Sequence, residues 1–203
     1  MSDAGFMKLL RAIAAGDAVA LQLIDASPSL ATARVTSGAE CFLDAIRHQV
    51  YAGDTALHVA AAAHRCDVAR ALIAHGADVG AVNRRGATAL HYAADGSPGS
   101  PRFDPAAQAD VIACLIAAGA DPNAATMDGV TPLHRAVRTP SAGAVKALLD
   151  RGADPMRRTS RGTTPPEMAS HGTGRSGSGS AAAKAEKAGI LQLFQQLGAR
   201  PGH

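Results

Sequence analysis

Aromatic side chains make up only 3% of the chain, and tryptophan is absent. The 47% of residues that are hydrophobic must therefore be mostly Ala, Leu, Ile and Val, small and aliphatic side chains that suit helices packed closely in layers. No apolar run approaches the roughly 18 residues needed to cross a bilayer. The opening Met1-Ser-Asp-Ala-Gly-Phe6 lacks a basic start and an apolar core, so neither a signal peptide nor a membrane span is expected and the expected setting is cytoplasmic. Cysteine is scarce and odd in number. Cys41, Cys66 and Cys114 lie in different units of the sequence, which argues against a disulfide framework and for reduced thiols. A large charge excess is missing too, since a net +3 is too mild to point to nucleic acid.

What the chain has instead is repetition. Gly86-Ala-Thr-Ala-Leu-His-Tyr-Ala-Ala94 is echoed by Gly53-Asp-Thr-Ala-Leu-His-Val-Ala-Ala61 and Gly129-Val-Thr-Pro-Leu-His-Arg-Ala-Val137, with a worn copy at Gly162-Thr-Thr-Pro-Pro-Glu-Met-Ala169. Thr55 to Thr88 is 33 residues, Thr88 to Thr131 is 43, and Thr131 to Thr164 is 33 again. A second landmark keeps the same phase at Gly76-Ala-Asp78, Gly119-Ala-Asp121, Gly152-Ala-Asp154 and Gly198-Ala-Arg200. Helix-opening and helix-closing motifs at this period resemble the ankyrin repeat, and the small bacterial members most closely. The resemblance implies an all-α ankyrin repeat solenoid of stacked helix–turn–helix repeats joined by hairpin-like fingers.

On that reading residues 1–203 form a single ankyrin repeat domain. Its units are a degenerate capping repeat at 3–49 with a long connection, repeats at 50–82, 83–125 and 126–158, and a degenerate capping repeat at 159–201. The first unit reads as two short helices around Gly16-Asp17, followed by a connection in which Phe42, Leu43 and Ile46 are spaced for one extra helical turn. Thr55 is placed to cap a helix burying Leu57, Ala60 and Ala61; Val68, Leu72 and Ile73 give the next helix its apolar stripe. Pro and Gly between Gly96 and Phe103 require a loop, after which Asp104-Pro105 restarts a helix whose buried stripe is Val111, Ile112, Leu115 and Ile116. In the last unit Pro166 stands where Leu is usual and Glu167 where His is usual, so a short or distorted helix is expected there. Ile190, Leu193, Phe194 and Leu197 face inward on the final helix.

Three histidines at one repeat position, His58, His91 and His134, invite a metal reading. Equivalent residues of stacked helices stand about 8–10 Å apart, far beyond zinc–ligand distances of about 2 Å. A structural, hydrogen-bonded role is therefore expected, with no metal and no cofactor. Gly172-Thr-Gly-Arg-Ser-Gly177 has the glycine spacing of a dinucleotide fingerprint, but a helix precedes it where a strand is required. The Gly-rich stretch 172–179 is thus read as a flexible loop, the alternative being phosphate binding with Arg175 and Lys184. No nucleophile can be paired with a base, so no enzymatic activity is expected.

The resemblance implies protein–protein interaction through a concave face of finger tips and first helices. Carried onto this chain, the finger positions are Tyr51, Asp54, Arg84, Arg85, Met127, Asp128, Ser160 and Arg161, and the first-helix positions are Tyr92, Asp95, Arg135 and Arg138. Both tyrosines of the chain fall in this set among several arginines, residue types enriched in binding hot spots. The expected partner is another protein with an acidic or mixed surface, bound by a monomer. The rival to that last point is a self-associating structural subunit.

Overall fold

Each Thr-x-x-His tetrapeptide contains what a helix start requires: a residue that leaves its backbone extended, and a side chain three positions on that returns to its N–H. In the computed structural model, which describes residues 3–98, 100, 103–171 and 180–198, every such tetrapeptide opens a helix. In chain order the elements are α1 (Asp3–Ala15), α2 (Val19–Ala26), a 3₁₀ turn (Pro28–Ala31), β1 (Cys41–Leu43), β2 (His48–Val50), α3 (Ala56–Ala62), α4 (Cys66–Ala74), α5 (Ala89–Ala93), α6 (Pro105–Ala117), α7 (Pro132–Arg138), α8 (Ala142–Leu149), α9 (Pro165–His171) and α10 (Ala181–Gly198). The fold is an all-α ankyrin repeat solenoid, with one two-stranded sheet among the described residues.

The fingers repeat as faithfully as the helices. Asn83, Thr126 and Thr159 each donate a backbone N–H to the carbonyl four residues on, at 3.0–3.1 Å, and each accepts the N–H of the glycine three residues on, at 2.8–2.9 Å. The side-chain oxygen of the same residue closes the loop by accepting the N–H four residues on, at 3.1, 3.2 and 3.3 Å respectively. Successive fingers are then linked through the backbone: Arg84 donates to the Ala52 carbonyl and Ser160 to the Asp128 carbonyl, both at 2.9 Å. That linkage leaves no room for a side chain at Gly53, where a Cβ would stand 2.9 Å from the Asn83 Cα.

Two expectations are corrected. The segment around Phe42 and Ile46 forms no helical turn; it is the antiparallel hairpin β1–β2, with Cys41 opposite Val50 and Leu43 opposite His48. Alternation decides this, since Leu43 and Val50 point into the core while Phe42, 51% exposed, points out. The worn motif at Thr164 opens a helix of the same seven residues as α3 and α7. Pro165 and Pro166 occupy the first two helical positions, where a missing N–H costs nothing. Glu167 replaces histidine in the cap, accepting the Thr164 N–H at 2.8 Å while its own N–H reaches the Thr164 hydroxyl at 3.4 Å.

By contacts the chain divides into two compact units, Met1–Ala93 with Asp110–Asp121, and Ala94–Ala109 with Pro122–His203. In the first, α3 packs against α1, α4 and α5, burying Leu9, Leu10, Ile13, Leu57, Leu72 and Leu90 completely. In the second, α7 packs on α8 and α9, and α10 covers α8 and α9, around Leu133, Val145, Leu148 and Ile190. Of the expected inward residues, Ile73, Ile116, Leu193, Phe194 and Leu197 are only half-buried. The Glu186 carboxylate of α10 accepts the Ala142 N–H at the start of α8 at 2.6 Å.

Gly53→Ala is expected to cost more than the about 1–2 kcal/mol of left-handed backbone strain, because its Cβ also meets a neighbouring finger. Gly76→Ala, at a φ of +86° with open space around it, carries that strain alone. Urea melts of the two variants measure the difference, and equal losses contradict the close-approach account.

Candidate functional site

Three histidines, conspicuous as possible ligands, turn out to be wired into backbone. The Thr55 N–H donates to His58 Nδ1 at 3.1 Å, and Thr88 and Thr131 do the same to His91 and His134 at 3.1 and 3.2 Å. An amide only donates, so Nδ1 must be the acceptor and the proton of the neutral ring sits on Nε2. From there His58 donates to the Ala87 carbonyl and His134 to the Thr163 carbonyl, each 29 residues on and at 3.0 Å. Burial pushes the His134 imidazole below its usual range, and the Thr163 carbonyl opposes that shift only in part.

The structure assembles Tyr51, Arg84 and Arg85 at the finger tips of the first unit. The Arg84 and Arg85 guanidinium carbons lie 5.2 and 5.1 Å from the centre of the Tyr51 ring, and Arg85 Nη1 donates to the Tyr51 hydroxyl at 3.0 Å. Arg84 is also gripped by Glu40, through Nε to Oε1 at 2.6 Å and Nη2 to Oε2 at 3.1 Å. The Ala52 N–H and then Arg84 hold the Glu40 carboxyl below the usual carboxylate range. Glu40 was invisible to the repeat pattern because it comes from the long connection outside the period.

Beneath this surface lie two residues expected on it. Tyr92 is 1% exposed and Asp54 is fully buried, which corrects their assignment as exposed positions. Asp54 accepts from the Tyr51 N–H at 2.7 Å, from Asn83 Nδ2 at 2.9 Å and from the Tyr92 hydroxyl at 2.8 Å. The Tyr92 ring is flanked by His48 at 4.3 Å and His58 at 5.2 Å between centroids. A carboxylate so enclosed needs every one of those donors, and the tyrosine is one of them. A sequence signal existed: at the equivalent positions stand Val59 and Ala87, both apolar and buried.

In the second unit, Asp95, Arg135 and Arg138 come together. Arg135 Nη1 donates to Asp95 Oδ2 at 2.7 Å and Arg138 Nη2 lies 3.6 Å from Asp95 Oδ1. The Arg135 side chain is only 14% exposed, so the expectation of an exposed position is corrected for it as well. Met127, 80% exposed, and Asp128 adjoin Ser160 and Arg161 across the backbone bond between their fingers. Met156, 65% exposed, was missed because it lies beside the finger motif and not within it. The Gly-rich stretch 172–179 with Arg175 lies outside the described residues. Among the described residues there is no group of three or more His, Cys, Asp or Glu suited to a metal ion, and no helix long and apolar enough to cross a membrane.

Family models match residues 9–169 between them: one described as ankyrin repeats in three copies over residues 9–100, one as ankyrin repeats in many copies over 115–169, and one as a single ankyrin repeat over 85–127. The chain belongs to the ankyrin repeat family. No curated protein matches it as a relative. Ankyrin repeats are generally non-catalytic protein–protein interaction modules, and this ankyrin repeat protein carries their Thr, His and Gly residues as scaffold.

Tyr92→Phe is expected to lower the stability of the ankyrin repeat protein by about 1–3 kcal/mol, because it strips a donor from a buried carboxylate. Denaturant melts would show it, and an unchanged midpoint would contradict the network. His134 adds a pH dependence. Its folded pKa lies below its unfolded value, so its contribution is complete above about pH 6.5 and is lost as pH falls and the unfolded chain takes up the proton first. Between about pH 7.5 and 5.5 the wild type should therefore lose more stability than His134→Gln. Parallel losses would rule the residue out as a source.

Proposed function

We propose that this protein binds another protein through exposed finger residues, with no chemistry of its own, in the cytoplasm and as a monomer. The observation that carries the reading is the Tyr51–Arg84–Arg85 cluster. Two guanidinium groups share one aromatic ring, and one of them is already fixed by Glu40. An ordered tyrosine and arginine pair loses little conformational entropy on binding, and these residue types dominate interface hot spots. Arg85 and the exposed edge of Arg84 present donors suited to carboxylates, so the partner surface is acidic or mixed. Met127, Asp128 and Arg161 form a second group of exposed finger residues within the other unit and supply apolar as well as charged contact.

Asp54, Tyr92 and Arg135 leave the set of contact residues, since their side chains serve the interior. Arg138 and Asp95 stay at the margin as a partly exposed pair.

Affinity capture comparing the wild type with Tyr51→Ala and Arg85→Glu tests this. Once a bound protein is purified, each substitution should weaken it by about 2 kcal/mol or more, roughly thirtyfold, while the thermal melt stays close to wild type. Binding unaffected by both substitutions would remove this surface from the account.

A further inference from the structure

In an antiparallel hairpin, residues opposite one another share a face, and so do residues two apart on one strand. Phe42 and Gln49 are such an opposed pair in the middle of β1–β2, on the face turned away from the buried Leu43 and Val50. Two residues outward from this pair, on the same alternation, stand Glu40 and Tyr51. Arg84 joins them: it hydrogen-bonds the Glu40 carboxylate at 2.6 and 3.1 Å and lies 5.2 Å from the centre of the Tyr51 ring. Glu40 also accepts the Ala52 N–H at 2.8 Å from across the hairpin. Phe42 and the Tyr51–Arg84–Arg85 cluster therefore lie on one continuous face, separated by a two-residue step of about 7 Å along an extended chain.

An exposed phenylalanine by itself needs no explanation. Phe42, 51% exposed, stands beside two ordered cations, and only one of them has an anion. Glu40 fills Arg84. The Arg85 guanidinium donates to the Tyr51 hydroxyl at 3.0 Å and, among the described residues, meets no carboxylate. The grip on Glu40 shows which chemistry suits this finger, two donors of one guanidinium on one carboxylate.

We propose that the outer face of β1–β2 and the adjoining finger bind an extended peptide segment of the partner protein, with an apolar side chain on Phe42 and a carboxylate two residues away on Arg85. This occupant presupposes that the Tyr51–Arg84–Arg85 surface is a binding site, and it adds the hairpin to that surface.

Spacing selects the conformation of the peptide. Side chains two apart in an extended chain point the same way about 7 Å apart, the same step that separates the Phe42–Gln49 level from the Glu40–Tyr51 level. A helix brings side chains to one face only at three or four residues. Charge selects the register. Glu40 repels an acidic residue placed over Arg84 and so directs it to Arg85.

The test titrates the full ¹⁵N-labelled chain with synthetic polar heptapeptides that carry one leucine and one glutamate, separated by one, two or three residues and in both orders. The peptides with one intervening residue should bind most tightly, in one of the two orders, with saturable shifts at Phe42, Gln49 and Arg85 Nε. Replacing the peptide's leucine by serine or its glutamate by glutamine should weaken binding at least about tenfold, as should Phe42→Ser and Arg85→Gln in the protein. Both protein positions are exposed, and thermal melts check that folding is kept. Tighter binding of the wider spacings, tighter binding of a phosphoserine in place of the glutamate, or no saturable shift at millimolar peptide overturns the proposal. Binding that needs Arg85 but is unchanged in Phe42→Ser overturns it too, and leaves the finger surface standing. Capture of a partner protein that survives both Tyr51→Ala and Arg85→Glu removes the finger surface itself, and the peptide site with it.

Discussion

The structure depends on a neutral imidazole with a fixed tautomer. In the motif Thr-x-x-His, the ring accepts a hydrogen bond from the threonine that opens its own helix and donates one to a carbonyl 29 residues further along, at Ala87 for His58 and at Thr163 for His134. One side chain thus starts a helix and fastens it to the next finger. Neither lysine nor glutamate can do both, since the first only donates and the second, ionised, only accepts. Where Glu167 stands instead, in the last repeat, the cap survives without the onward link.

The same economy separates scaffold from surface at the fingers. Asn83 closes its own loop with its side-chain oxygen and passes its amide hydrogens to Asp54 and Tyr92. With the loop fixed from below, Arg84 and Arg85 leave it in defined directions and meet the Tyr51 ring. A rigid underside is what allows a small exposed patch to be ordered before any partner arrives. The buried Tyr92 and the half-buried Tyr51 therefore act in series.

The repeat pattern disclosed the fold because its determinants are local: each helix start, finger turn and left-handed glycine is written within about five residues. Thr55, Gly76 and the Asp104-Pro105 pair could be read this way. The hairpin at Cys41–Val50 could not, because it lies outside the period and its strand pairing is set by contacts on one face only. Tyr92 and Arg135 were misjudged for a different reason. A repeat position fixes where a side chain starts but not whether a neighbour such as Asp54 or Asp95 draws it inward. Comparing Tyr92 with the buried Val59 at the same position gives the better guide. Glu40, the partner of Arg84 in a two-pronged ion pair, has no equivalent in any repeat and was legible only in three dimensions.

The histidine relay is tested most directly by the ¹⁵N chemical shifts of the imidazole nitrogens of His58 and His134, read from long-range ¹H–¹⁵N correlation spectra near neutral pH. The account predicts for both rings an unprotonated Nδ1 and a protonated Nε2. A proton on Nδ1, or rapid averaging between the two nitrogens, would contradict the claim that these rings hold each helix start to the following finger.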